Sequence, residues 1–309
     1  MILEYKIDER TDGFSVRSFL KRQGLSTHLW RRLKHQGTLS INNHPVLCAT
    51  LATLHTGDLL YCEIPETSAI EPQNIPLDIR YEDDYLLVVN KPAKMLVHPI
   101  AKEQYGTLAN AVAYYYETTK EPCVFHPTHR LDRNTTGLVL IAKQPHIQSL
   151  LTDKDGPRFH RTYVAIAHGH FAAPEGEIGL PIRRKPGSFI EQEAHVDGKT
   201  AVTRWRVLAE TDTLSLVELH PITGRTHQLR VHLSAIGCPI LGDDLYGEPS
   251  PVIARQALHA CRLNLIQPIT HEPLIVEAPP PEDFMQTLEL FGIPYPIKRL
   301  VQNVKGPQT

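Results

Sequence analysis

The thirteen residues IPETSAIEPQNIP, Ile64 to Pro76, place prolines at positions 65, 72 and 76. Proline donates no backbone hydrogen bond and cannot sit inside a regular ladder or helix. The stretch is therefore a break. It divides the chain into an N-terminal unit, residues 1–68, a linker, 69–76, and a larger unit, 77–309. On the N-terminal side, Gly13 to Gly57 contains no Asp or Glu but holds Arg17, Lys21, Arg22, Arg31, Arg32 and Lys34. The full 309 residues carry a net charge of only −2, so this is a local basic island in a near-neutral protein. Those cations are candidate contacts to nucleic acid.

Within the island, Ser15 to Gln23 and Ser26 to His35 are amphipathic stretches opened by serine and closed by Gly24 and Gly37, which reads as two capped helices. The alternating TLSINNHPV turns at Asn42-Asn43, and GDLLYCEIPE returns as a strand, completing a helix, helix, hairpin module. Beyond the linker, YLLVVNKP, GLVLIAK, RTYVAIAHG, KTAVTRWRVLAE, TLSLVELHP and RLNLIQP read as strands. Helices are expected at Thr107 to Tyr116, after Pro145, and from Thr226 to Ile236, where Leu229, Leu233 and Ile236 share a face before Gly237. This mixture predicts an α+β fold with a large, mainly antiparallel mixed sheet. Residues after Ile297 read as a loose tail.

Several function classes drop out. The longest strictly apolar runs, such as Leu138 to Ala142, are far shorter than the roughly 18 residues of a membrane span. Glu4, Lys6, Asp8 and Glu9 interrupt any secretory core near the start, so a cytoplasmic address is expected. The cysteines, Cys48, Cys62, Cys123, Cys238 and Cys261, are scattered without a Cys-x-x-Cys, which indicates neither a disulfide framework nor a zinc site. Gly198-Lys199-Thr200 lacks the earlier glycine of a phosphate loop, because Glu193 stands there. His126 and His129 are separated by Pro127 and have no third ligand at sensible spacing, which favours a structural reading over a metal.

Two stretches carry chemistry. In HRLDRNTTG, Asp132 stands between Arg130 and Arg133. An aspartate in so turn-rich a sequence is ordinarily a cap. Two neighbouring cations, however, favour the ionised carboxylate and suit it to act as nucleophile or base rather than acid. An ordinary glycosidase needs a second, proton-bearing carboxylate, and the motif supplies none. In HPITGRTHQLRVHLSAIGCPILGDDLYG, residues 220–247, Arg225 precedes a helix and Arg230 lies in its early turns. Cations gain nothing from the helix dipole there, so they point to an anion elsewhere.

HRLDRNTTG, RTYVAIAHG, TGRTHQLRVHL with CPILGDDLYG, and YEDDYLLVVNKP with LVHP together resemble the RluA-type family of RNA pseudouridine synthases, over about Tyr81 to Phe284. The N-terminal module resembles the small S-four-type RNA-binding domain that often precedes this catalytic domain. The resemblance implies a central cleft in the sheet and a cofactor-free, metal-free isomerase that converts uridine in RNA to pseudouridine. It implies Asp132 as the catalytic aspartate, Arg130 against the flipped nucleotide, Tyr163 packed on the target base and removing its C5 proton, and Arg230 paired with the aspartate. Arg225 joins Arg130 and the island as an expected RNA contact. For Tyr163 to lose its proton it needs a nearby cation, and Arg230 is the candidate. Lys94 stands where the family commonly has glycine, so the loop is expected to differ there. Ribosomal RNA is favoured over transfer RNA, acted on by a monomer. A noncatalytic RNA-binding protein and a nucleoside hydrolase are the alternatives.

Overall fold

The computed structural model describes residues 1–46, 51–64, 70–153 and 156–295. Cys48, residues 65–69 of the proline-rich break and the tail after Ile297 lie outside the described residues.

The N-terminal elements are β1 (Ile2–Lys6), α1 (Val16–Arg22), α2 (Thr27–Gln36), β2 (Thr38–Ile41), β3 (His44–Pro45) and β4 (Leu59–Glu63). The strands form one sheet in the order β1-β4-β2-β3. Both serine caps are made: Ser15 accepts the Ser18 amide and Ser26 the Leu29 amide. Asn42 and Asn43 take φ of 51° and 65°, the left-handed pair that a tight hairpin turn requires. Strand β1 was not read from the sequence. Its role depends on β4, nearly sixty residues on, against which Ile2 pairs with Glu63. Gly37 is extended, and glycine is needed there for space: a Cβ would stand 2.4 Å from the Glu63 carbonyl oxygen. Val16, Phe19, Leu20, Leu33, Leu54 and Leu60 give this unit its own apolar core.

The larger unit runs β5 (Ile79–Glu82), β6 (Leu86–Lys91), α3 (Leu108–Thr119), β7 (His126–Pro127), β8 (Thr136–Ala142), α4 (Pro145–Leu151), β9 (Thr152–Asp153), β10 (Gly156–Pro157), β11 (Phe159–His168), β12 (Glu175–Ile178), β13 (Ile182–Arg184), β14 (Gln192–Ala194), β15 (Thr203–Glu210), β16 (Leu214–Pro221), α5 (Gln228–Ala235), β17 (Leu258–Ile266), β18 (Pro273–Glu277) and α6 (Glu282–Leu290). Its main sheet follows the order β12-β15-β16-β11-β17-β8-β6-β5, with β18 also on β17 and β7 on β8. Its pairings are antiparallel except that of β17 with β8. The expected mixed, mainly antiparallel sheet is what forms. The hairpin β13–β14, strand β18 and helix α6 were not anticipated.

Continuous apolar runs become strands here because both faces of the sheet are covered. Every residue of β8 is buried. In β6, Leu87 and Val89 join Leu108 and Val112 of α3, while Leu86 and Val88 join Ile147 and Leu151 of α4. Helix α5 starts at Gln228 rather than Thr226 because His227 adopts φ 55°, outside helical geometry. Gly137 has φ +114°, and a Cβ on it would lie 2.3 Å from the Ala260 oxygen, where β8 meets β17. Only glycine lets those two backbones approach so closely. The two units touch where Gly24 meets Leu150 of α4. No helix among the described residues is long and apolar enough to cross a membrane.

Candidate active site

A cleft of about 530 Å³ opens on the larger unit, and Arg130, Asp132, Tyr163, Arg225 and Arg230 all line it. Residues from the turn before β8, from β11, and from the loop leading into α5 thus converge, as the motif order suggested.

The turn at Asp132 is closed by its backbone: the Thr135 amide donates to the Asp132 carbonyl at 3.1 Å. Its carboxylate is therefore not the cap that turn chemistry alone would favour. Side chains from distant segments hold the turn. Lys91 Nζ donates to the carbonyls of Pro92 (2.7 Å), Met95 (2.9 Å) and Arg133 (3.1 Å). Arg255 Nη1 donates to the Asn134 carbonyl at 3.4 Å, and Gln256 Nε2 to Thr135 Oγ1 at 3.1 Å. Lys91 is fully buried, and that burial brings its pKa down to about 7, with Asp132 acting in the opposite direction. Lys94, at the position where a different loop was expected, needs no change of backbone region to stand in for a glycine of positive φ. It takes the left-handed conformation itself, at φ 63°, and the Lys91 bonds on either side restrain the backbone there.

Arg230 Nη1 stands 3.5 Å from Asp132 Oδ2. That distance is an ion pair rather than a tight hydrogen bond. The guanidinium is oriented by Asp243, which accepts Nε and Nη2 at 2.7 Å each and is itself fully buried. Asp243 Oδ1 also takes the amides of Leu245 and Tyr246. A bidentate pair of this kind fixes the plane of the arginine, which leaves Nη1 directed at Asp132. On the other side of Asp132, His227 Nε2 lies 3.8 Å from Oδ1 while its Nδ1 is 2.7 Å from the Tyr246 hydroxyl. Burial lowers the His227 pKa, with Asp132 acting in the opposite direction. The Arg230 guanidinium also lies over the Tyr246 ring, 5.0 Å from its centroid.

The two flanking arginines diverge. Arg133 turns outward and pairs with Glu103 rather than with Asp132. Adjacent side chains leave the backbone in different directions, and proximity in sequence did not become proximity in space. Arg130 is exposed at the rim of the cleft.

Tyr163 sits in β11 beside an irregularity: Thr162 pairs with Arg262 but Tyr163 with Ala260, so β17 carries one extra residue, Cys261. Such bulges re-aim side chains near functional sites. The ring is buried, and burial raises its hydroxyl pKa, with Arg161 pulling it down and Asp132 pushing it up. The neighbouring cation is thus Arg161, not Arg230. Arg161 and Tyr163 are two apart on one strand and share a face of the sheet.

Asp243, His227, Tyr246, Lys91 and Arg161 were missed as site residues. Asp243 and Tyr246 stood inside the quoted CPILGDDLYG, but nothing in that stretch says which acid meets Arg230. His129 is half-buried and lines the cleft, and its Nε2 accepts the Leu140 amide at 3.1 Å. Among the described residues no group of His, Cys, Asp and Glu could hold a metal. Arg225 is exposed, its Nε on the Thr200 carbonyl. The island residues lie apart from the cleft lining: Arg17, Lys21, Arg22, Arg31 and Lys34 are exposed on α1 and α2, and Arg32 is half-buried.

Residues 85–235 match the family model described as RNA pseudouridylate synthase. The chain is 39% identical over 290 residues to the uncharacterized RNA pseudouridine synthase YhcT of Bacillus subtilis (strain 168), covering 91% of this chain and 94% of that protein. It is 38% identical over 243 residues to the ribosomal large subunit pseudouridine synthase D of Escherichia coli (strain K12), covering 74% of each. Among solved structures, human RNA pseudouridylate synthase domain containing 4 superposes with a TM-score of 0.58 at 28% identity, over 71% of this chain and 94% of that one. With the motifs gathered in one cleft and the sheet shared with a solved relative, the chain belongs to the RluA-type family of RNA pseudouridine synthases.

Proposed function

We propose that the protein isomerises uridine in ribosomal RNA to pseudouridine, with Asp132 as the catalytic carboxylate. One observation carries this reading: Arg230, locked by Asp243, presents its remaining nitrogen 3.5 Å from Asp132 inside a cleft that also holds Tyr163. A carboxylate beside a fixed cation is a nucleophile or base. Asp132 either adds to C1' or removes the 2' proton; in both routes the C1'–N1 bond breaks and its electron pair stays on uracil. The base then turns and C5 bonds to C1', displacing Asp132 in the first route or adding to the glycal as Asp132 returns the proton to C2' in the second; the C5 proton leaves and N1 gains one, so no atom is lost overall. Extracting the base from the stack costs a few kcal/mol, and stacking on Tyr163 offsets about 1–3 kcal/mol of that.

The N-terminal unit, residues 1–68, acts in this reading as an S-four-type RNA-binding domain joined by the linker 69–76 to the catalytic unit 77–309. Its exposed Arg17, Lys21, Arg22, Arg31 and Lys34, with Arg32, support phosphate contact. Arg130 and Arg225 at the cleft rim continue that contact. The ribosomal name of the synthase D relatives supports ribosomal RNA as substrate; a monomer acting in the cytoplasm completes the proposal.

The test is incubation of the purified chain with unmodified large-subunit ribosomal RNA and with transfer RNA. A carbodiimide-resistant stop in primer extension at one uridine of the ribosomal RNA, with nucleoside mass unchanged, is the expected result. Release of free uracil would identify a glycosidase instead, and no conversion of either RNA would refute the activity.

A further inference from the structure

Arg161 is unlike the other cations of the cleft. It is only 8% exposed, it lines the cleft, and no carboxylate pairs with it among the described residues. Its Nη2 reaches the Thr223 carbonyl at 3.3 Å, and its buried Nε has no hydrogen-bond partner. A guanidinium has five N–H donors and no acceptor, and a buried charge without a counter-charge is costly. Lys91, the other deeply buried cation near Asp132, satisfies its amine with three carbonyls, and Arg230 has Asp243. Arg161 alone of these three has neither a carboxylate nor a full set of carbonyl acceptors; besides Thr223 it meets the Tyr163 hydroxyl and lies 5.7 Å from the centroid of the Phe159 ring.

We infer that Arg161 is a catalytic residue that receives the uracil anion after the glycosidic bond breaks, an inference that rests on the proposed function. Position argues for the base rather than a phosphate. Asp132, Tyr163 and Arg161 all line the cleft, and Arg161 shares the face of β11 that carries Tyr163, which places the guanidinium beside the ring on which the base stacks. Arg130 and Arg225 are exposed at the rim, within reach of a hydrated phosphodiester, whereas Arg161 is almost wholly buried, which suits contact with a base extracted from its strand. When C1'–N1 breaks, the pair left on N1 spreads over O2 and O4, and these acceptors match a donor-only guanidinium. The charge is discharged as C5 bonds to C1' and N1 takes up a proton.

The experiment compares the wild type with Arg161→Met and Arg161→Gln in single turnover, on RNA carrying either uridine or 5-fluorouridine at the target. Fluorine stabilises the detached anion by itself, so a site lacking Arg161 loses less with that substrate. We expect the uridine rate at saturating enzyme to fall about a hundredfold, in line with loss of one electrostatic stabiliser, and the disappearance of 5-fluorouridine to fall only about tenfold. RNA affinity stays within threefold, and the melting temperature of the free variants does not drop, because an uncompensated buried charge has been removed. Equal losses on both substrates would mean that Arg161 only shapes the site, and the inference is then overturned. Weakened binding with a shallower salt dependence and an unchanged saturating rate would make it a phosphate contact, which also overturns it. A wild type that forms no pseudouridine refutes the proposed function before any variant is compared, and this inference with it.

Discussion

The cations of the N-terminal unit and those of the cleft are the same residue types in opposite circumstances. Arg17, Lys21, Arg31 and Lys34 stand in solvent on two short helices, and Arg22 rests its guanidinium over Phe14 at 4.6 Å. Arg230 and Lys91 are buried, and each is held by several named acceptors. Exposed charges act over about a Debye length and are screened by salt. Buried ones act over one contact and depend on geometry. The first arrangement suits attraction of a polyanion whatever its sequence, and the second suits the orientation of one reacting group.

Asp132→Asn breaks this contrast most severely. It keeps the backbone turn, because the Thr135 amide bonds to the Asp132 carbonyl and not to the carboxylate. Pseudouridine formation should fall by at least about a thousandfold, as expected when the chemical group itself is removed, with the circular dichroism spectrum and RNA affinity retained. Turnover within tenfold of the parent would remove Asp132 from the mechanism.

Asp243→Asn tests whether the cleft cations depend on geometry. A buried guanidinium deprived of its bidentate partner should cost about 3–5 kcal/mol of stability, seen in urea unfolding. The single-turnover rate should fall by about a hundredfold as Arg230 loses its fixed plane. If stability and rate both survive, Asp243 does not orient Arg230.

Removing residues 1–68 tests the other half of the comparison. RNA binding should weaken by about ten- to a hundredfold at physiological salt, and the slope of log affinity against log salt should become shallower by roughly one unit per lost phosphate contact. The saturating rate should hold within threefold, since none of the deleted residues lines the cleft. Unchanged salt dependence would reduce the island to a solvated face.

The smallest effect concerns Lys91. Its pKa is lowered from 10.5 to about 7 in the folded chain. Between those values the unfolded chain holds a proton that the folded one has released, so this group makes stability rise with pH across that window and leaves it flat below. The difference in urea midpoint between the wild type and Lys91→Met should therefore shift in favour of the wild type from pH 6.5 to pH 9. A difference that does not change with pH would show that Lys91 titrates as an ordinary lysine.

Caps, strand alternation, the acid-free island and the ordered motifs are properties of short stretches, and they are legible in the sequence. They led to the helix boundaries at Ser15 and Ser26, the mixed sheet, the family, and Asp132, Tyr163 and Arg230 in one cleft. Which charges meet was not legible, since pairing depends on where distant segments arrive. Arg133 sits beside Asp132 in sequence yet pairs with Glu103. Lys91 reaches a carbonyl 42 residues away, and Arg255 one that is 121 away. The single extra residue in β17 sets the strand opposite Tyr163, and the strand face shared with Arg161 supplies the neighbouring cation. Local propensity decided what each segment became, and packing of the sheet and its two covered faces decided which side chains could share a dry, unscreened space, where a few ångströms separate an ion pair from none.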